Sequence, residues 1–214
     1  MALALLVALG IWQLQRLAWK EGVLASIAQG EAAPPAPLSS DPSPFSKVEV
    51  TGTLQDVGSY GVAVEVTPAG PKEGAYRLGV VTRPGSEAVL VNEGWVPDGT
   101  FLDTAPRPAT VTGYVLPPQA PTWFTPRGDA QSRRFFAADP ESIGAALHLP
   151  KLAPFLVVAL GSAPPGTYPA PAEHLPQPPN NHLQYAVTWF GLAAVLLVIF
   201  AIYAARSLRQ NASL

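Results

Sequence analysis

The chain has 214 residues, room for one compact domain and two membrane helices but not for two sizeable soluble domains beside them. It is 48% hydrophobic and 13% charged, with a positive mean hydropathy; soluble domains carry roughly 25% charged residues, so membrane residence is expected. The net charge of -2 and the scatter of Lys and Arg leave no basic stripe for a phosphate backbone, so no nucleic acid partner is expected. The absence of cysteine excludes disulfides, thiolate catalysis and Cys-ligated metal.

Met1 to Leu14 is an apolar run that begins without a basic leader and is followed by no small-residue cleavage site. A retained helix whose cytoplasmic leader is missing or misassigned is favoured over a cleaved signal peptide. Continued through Lys20, this helix carries Trp12, Arg16, Trp19 and Lys20 on one broad face. The first helix and its outer end are assigned to 1–20, and a Pro- and Ala-rich linker to 21–44.

Most of the 25 prolines and 18 glycines lie between the two ends, which argues for a turn-rich middle over 45–163. Short β-prone runs are bounded by turn residues at Lys47–Leu54, Tyr60–Val66, Tyr76–Thr82, Ala88–Val96, Thr110–Leu116, Arg133–Ala137 and Phe155–Leu160. Val48 and Val50 alternate with Glu49, and Val62, Val64 and Val66 alternate with Ala63 and Glu65, the pattern of half-buried strands. The expected fold is a small barrel or sandwich with one short helix, begun by Asp139-Pro140-Glu141 and ended before Pro150. A second Pro-rich linker follows at 164–181.

From Tyr185 to Ala205 no residue is charged, enough for about 30 Å of helix at roughly 1.5 Å per residue. A second membrane helix is therefore placed at 182–205. Arg206 and Arg209 follow at once, so positive-inside reasoning puts the tail at 206–214 in the cytoplasm and the middle domain outside.

The middle offers little with which to run a reaction. His148 and His174 stand apart from any acid and nucleophile motif, and no phosphate-binding glycine pattern is present, so no enzyme is expected. The informative stretch is the mouth of the last helix, where His182, Tyr185, Ala186, Trp189 and Ala193 share one face. An imidazole is a common axial ligand for haem iron, aromatic rings stack on a porphyrin, and alanines leave it room. Arg16 and Lys20 of the first helix would pair with haem propionates. The competing reading makes His182, Tyr185 and Trp189 an interfacial belt and lets Arg16 and Lys20 snorkel to lipid headgroups.

Three patches resemble the Surfeit locus protein 1 family: Leu9-Gly10-Ile11-Trp12-Gln13-Leu14-Gln15-Arg16-Leu17-Ala18-Trp19-Lys20, Asn92-Glu93-Gly94-Trp95-Val96-Pro97, and His182 to Phe190. Their order and positions take in nearly the whole chain. The resemblance implies an assembly factor for haem-copper (cytochrome c) oxidase, with two membrane helices and an outer domain that is periplasmic in a bacterial inner membrane. Its implied partners are the oxidase large subunit, the haem a synthesis machinery and membrane lipid. The implied cargo is haem a, bound between the helices for insertion into that subunit. Carried over, His182 is the candidate iron ligand, with Tyr185, Trp189, Trp12, Arg16 and Lys20 around it. The alternative is a membrane-anchored scaffold that binds oxidase subunits without haem. Glu93 departs from the family pattern, which usually has Arg between Asn and Gly, and Trp95 reads on its own as a core aromatic.

Overall fold

The structure is a computed structural model describing residues 1–101 and 103–211, with the side chains of 210 and 211 left out. The last three residues of the expected tail, 212–214, lie outside the described residues. The chain divides into a unit formed by 1–25 with 177–214 and a unit formed by 26–176.

The first unit consists mostly of two helices, α1 (Ala2–Ala32, whose last turns belong to the second unit) and α3 (His182–Asn211). Both are long and apolar enough to cross a membrane. Their apolar side chains point mostly outward: Leu5, Val187, Val195, Val198, Ile199 and Phe200 are all exposed, as lipid-facing residues are. α1 does not stop near Lys20 as expected but continues to Ala32, so its last turns replace part of the expected linker. The reason lies in the second unit, where Ile27 is buried and Gly30 lies against the Phe45 backbone and the Leu175 side chain. Glu31 accepts a hydrogen bond from the Leu175 amide at 3.0 Å, and Lys47 Nζ donates to the Glu31 carbonyl at 2.6 Å.

The second unit is mainly β: β1 (Ala36–Pro37), β2 (Lys47–Thr67), β3 (Gly70–Thr82), β4 (Ala88–Pro97), β5 (Arg107–Leu116), β6 (Arg134–Phe135) and β7 (Leu152–Ala159). These strands form one sheet in the order β1-β2-β3-β4-β7-β5, with β6 paired to β2 off this path, and β5 pairs again with β2, so the pairings return to the strand they left. β2 makes this possible because it joins two expected strands into one of 21 residues. Its first part pairs with β5 over Lys47–Leu54, and its second pairs with β3 over Thr53–Thr67. The turn-like Asp56-Val57-Gly58-Ser59 becomes a bulge, where Ser59 N–H donates to the Arg133 carbonyl at 2.9 Å.

The core is aliphatic: Val48, Val50, Leu54, Val81, Val89, Val91, Val115 and Val157 pack with Phe155. The first alternating valine pattern therefore faces inward. The second does not, since Val62, Val64 and Val66 are exposed. From Ala63 onward β2 pairs with β3 alone, as a two-stranded tip on which these valines stay in solvent. The short helix is as expected: α2 (Pro140–Ala146) begins at Asp139, whose carboxylate accepts the Ser142 N–H at 3.1 Å, with Pro140 in its first turn.

Candidate functional site

Within the helical unit, the less exposed residues of α1 recur at steps of three and four: Leu3, Leu6, Gly10, Gln13, Leu17 and Lys20. On α3 the matching stripe is His182, Ala186, Trp189, Phe190, Ala193 and Leu196. The two stripes meet in antiparallel order, with Gly10 at Phe190 and Gln13 at His182. Small residues make the approach close. Ala186 and Ala193 are buried, and a Cβ on Gly10 would lie 2.7 Å from the Phe190 ring.

His182 sits at the start of α3, where the Asn180 side-chain oxygen accepts its backbone N–H at 3.4 Å. Its imidazole Nδ1 lies 2.8 Å from Gln13 Oε1, with His182 half-buried and Gln13 buried. Gln13 is 9% exposed although it stands in an apolar run, so its amide needs this partner. Helical spacing alone does not single out Gln13. The available signal was a lone amide one turn beyond Gly10 on an otherwise apolar face.

The expected set divides into two groups. His182, Trp189 and Lys20 lie on or beside the packed stripes, half-buried. Trp12, Arg16 and Tyr185 are exposed, Trp12 and Tyr185 by 50% and 55%. The Arg16 guanidinium lies 4.3 Å over the Trp19 ring of its own helix, one turn from the Gln13 that holds His182.

The β unit holds a second polar cluster, built on the motif that departs from the family pattern. Arg107 donates from Nη1 to Asp56 Oδ1 at 2.8 Å and from Nη2 to Glu93 Oε2 at 2.6 Å. Arg77 Nη1 is 3.4 Å from Asp56 Oδ2, and its Nη2 donates to the Phe101 carbonyl at 2.7 Å. The cations beside Glu93 thus come from β3 and β5. Burial, then repulsion from Asp56, pushes the Glu93 carboxyl up to about 7 against the pull of Arg107. Burial likewise pushes the Tyr114 phenol up to about 12.

The rest of that motif is structural. Asn92 Oδ1 accepts the Gly94 N–H at 2.9 Å, and Asn92 Nδ2 donates to the Tyr60 hydroxyl at 3.0 Å. Gly94 has φ +127, and a Cβ there would lie 2.2 Å from the Ala170 carbonyl oxygen. Trp95 is buried, and its Nε1 donates to the Ala63 carbonyl at 3.3 Å, the core role its strand position suggested. His148 is exposed just past α2, and His174 is 3.8 Å from Glu31. Among the described residues, no group of three or more His, Cys, Asp or Glu is placed to hold a metal ion.

Known proteins are similar to this chain over most of its length. A SURF1-like protein of Rickettsia felis is 29% identical over 211 residues, covering 93% of this chain and 92% of the relative. Surfeit locus protein 1 of Takifugu rubripes is 26% identical and that of Gallus gallus 24%, covering 87% of this chain in both cases and 87% and 67% of the relatives. A sequence model of the SURF1 family matches residues 1–194, a range that takes in α1, the whole β unit and the His182 end of α3. By that match the chain belongs to the SURF1 family.

Proposed function

We propose that the protein is an assembly factor for a haem-copper oxidase, holding haem a at the pair of terminal helices and aiding its insertion into the large oxidase subunit. Family membership supports the assembly role. The observation that carries the haem reading is His182, a part-buried imidazole at the mouth of an apolar helix, with one nitrogen engaged by Gln13. The donor set fits a porphyrin iron: one imidazole supplies the ligand, Trp189 lies on the same face, and Arg16 and Lys20 supply cations for propionates. A single histidine suits cargo, because a site with one protein ligand releases more readily than a closed two-ligand site. The bound haem would supply only itself; the protein's contribution is a dry, apolar seat and charge pairing, with no catalytic step.

In this reading α1 and α3 cross a bacterial inner membrane, Arg206 and Arg209 mark the cytoplasmic side, and the β unit faces the periplasm. The second reading, an anchored scaffold that binds oxidase subunits without haem, is favoured by one feature. Gly10 against Phe190 and Gln13 against His182 already pack the helices closely. The two are separated by complementing a strain that lacks the gene. With wild-type protein the oxidase large subunit regains its haem a, whereas with His182→Ala its haem a content stays low. Full restoration by His182→Ala favours the scaffold.

A further inference from the structure

Within the helical unit, His182 Nδ1 lies 2.8 Å from Gln13 Oε1. An amide oxygen only accepts, so the proton in this bond belongs to Nδ1. A neutral imidazole carries one N–H, and with it on Nδ1 the lone pair is on Nε2. We propose that Gln13 is the positioning residue of His182, holding the ring as the Nδ1–H tautomer and leaving Nε2 as the nitrogen that ligates the iron of a bound haem. This rests on the haem reading above.

Two features separate this role from simple helix adhesion. Gln13 is 9% exposed in an apolar run, whereas at the neighbouring turn Gly10 meets the Phe190 ring. The partner of Gln13 is also the one histidine on the helical unit, His148 and His174 being in the β unit. Acceptors on the far nitrogen of a metal-bound histidine fix the tautomer and increase the donor strength of the ligating nitrogen, and losing one typically costs 10–100-fold in affinity.

The test uses the full chain in lipid nanodiscs with 15N-labelled histidine, with the His182 ring signals assigned by their loss in His182→Ala. In the haem-free wild type, Nδ1 is the protonated nitrogen and Nε2 the bare one. Gln13→Leu moves the ring toward the Nε2–H form, and Gln13→Glu, which keeps an acceptor, does not. Titration with ferric haem a then gives an affinity about 10–100-fold weaker for Gln13→Leu. The reduction potential of bound haem rises in Gln13→Leu and falls in Gln13→Glu, a divergence that adhesion alone would not produce. Unchanged ring signals in Gln13→Leu, or equal affinity and potential in all three proteins, overturn the inference. A wild type with the expected tautomer that takes up no haem instead overturns the haem reading, and with it the iron half of this inference.

Discussion

Replacing Glu93 by glutamine tests the electrostatics of the β unit. Glu93 is 8% exposed, and its Oε1 is buried without a hydrogen-bond partner while Oε2 takes the Arg107 bond. Burial and the neighbouring Asp56 push its carboxyl up to about 7 from the 4.5 of a free side chain. Below about pH 4.5 both folded and unfolded chains hold the proton. As pH rises toward 7 the unfolded chain releases it first, so folding stability falls across that window and levels off above it. The shift corresponds to about 3 kcal/mol at roughly 1.4 kcal/mol per pH unit. A side-chain amide has no titrating proton, so Glu93→Gln flattens the slope between pH 4.5 and 7 and unfolds at higher denaturant than wild type at pH 8. Urea unfolding of the full chain in nanodiscs, followed by the β-sheet circular dichroism signal across pH 4.5 to 8, reads both effects. Equal slopes in the two proteins would refute the reasoning.

Further substitutions probe the other elements. Gly94→Ala places a methyl on the Ala170 carbonyl at φ +127, and the domain loses about 3 kcal/mol or more in urea unfolding. Asp139→Ala removes the α2 cap and costs about 1 kcal/mol in the same assay. Gly10→Leu drives a side chain into the Phe190 ring and separates the helices, which shows as weaker cross-linking between cysteines introduced on Leu6 and Ala193.

The strands that alternate over a core were legible because two-residue periodicity and turn residues bound them, as at Val48-Glu49-Val50 and the run through Val89 and Val91. β2 was not legible as one strand. Asp56 to Ser59 has turn chemistry, and only two different partners, β5 and β3, make a continuous strand with a bulge there. The exposed Val62, Val64 and Val66 show the matching limit: alternation identifies two faces but not whether a second layer covers either. At the helices, spacing put His182, Tyr185, Ala186, Trp189 and Ala193 on one face, and all but the exposed Tyr185 lie on the packed stripe. It did not find Gln13, because a periodic stripe shows which residues share a face, not what lies opposite. Glu93 was legible as a departure, but its cations on β3 and β5 are remote in sequence.

The most direct measurement is the haem content of the full chain purified from a host that makes haem a. Wild-type protein is expected to carry a haem a absorbance band that His182→Ala loses, while both proteins keep the same circular dichroism. Equal occupancy and an unchanged spectrum in His182→Ala would contradict the assignment of His182 as the iron ligand.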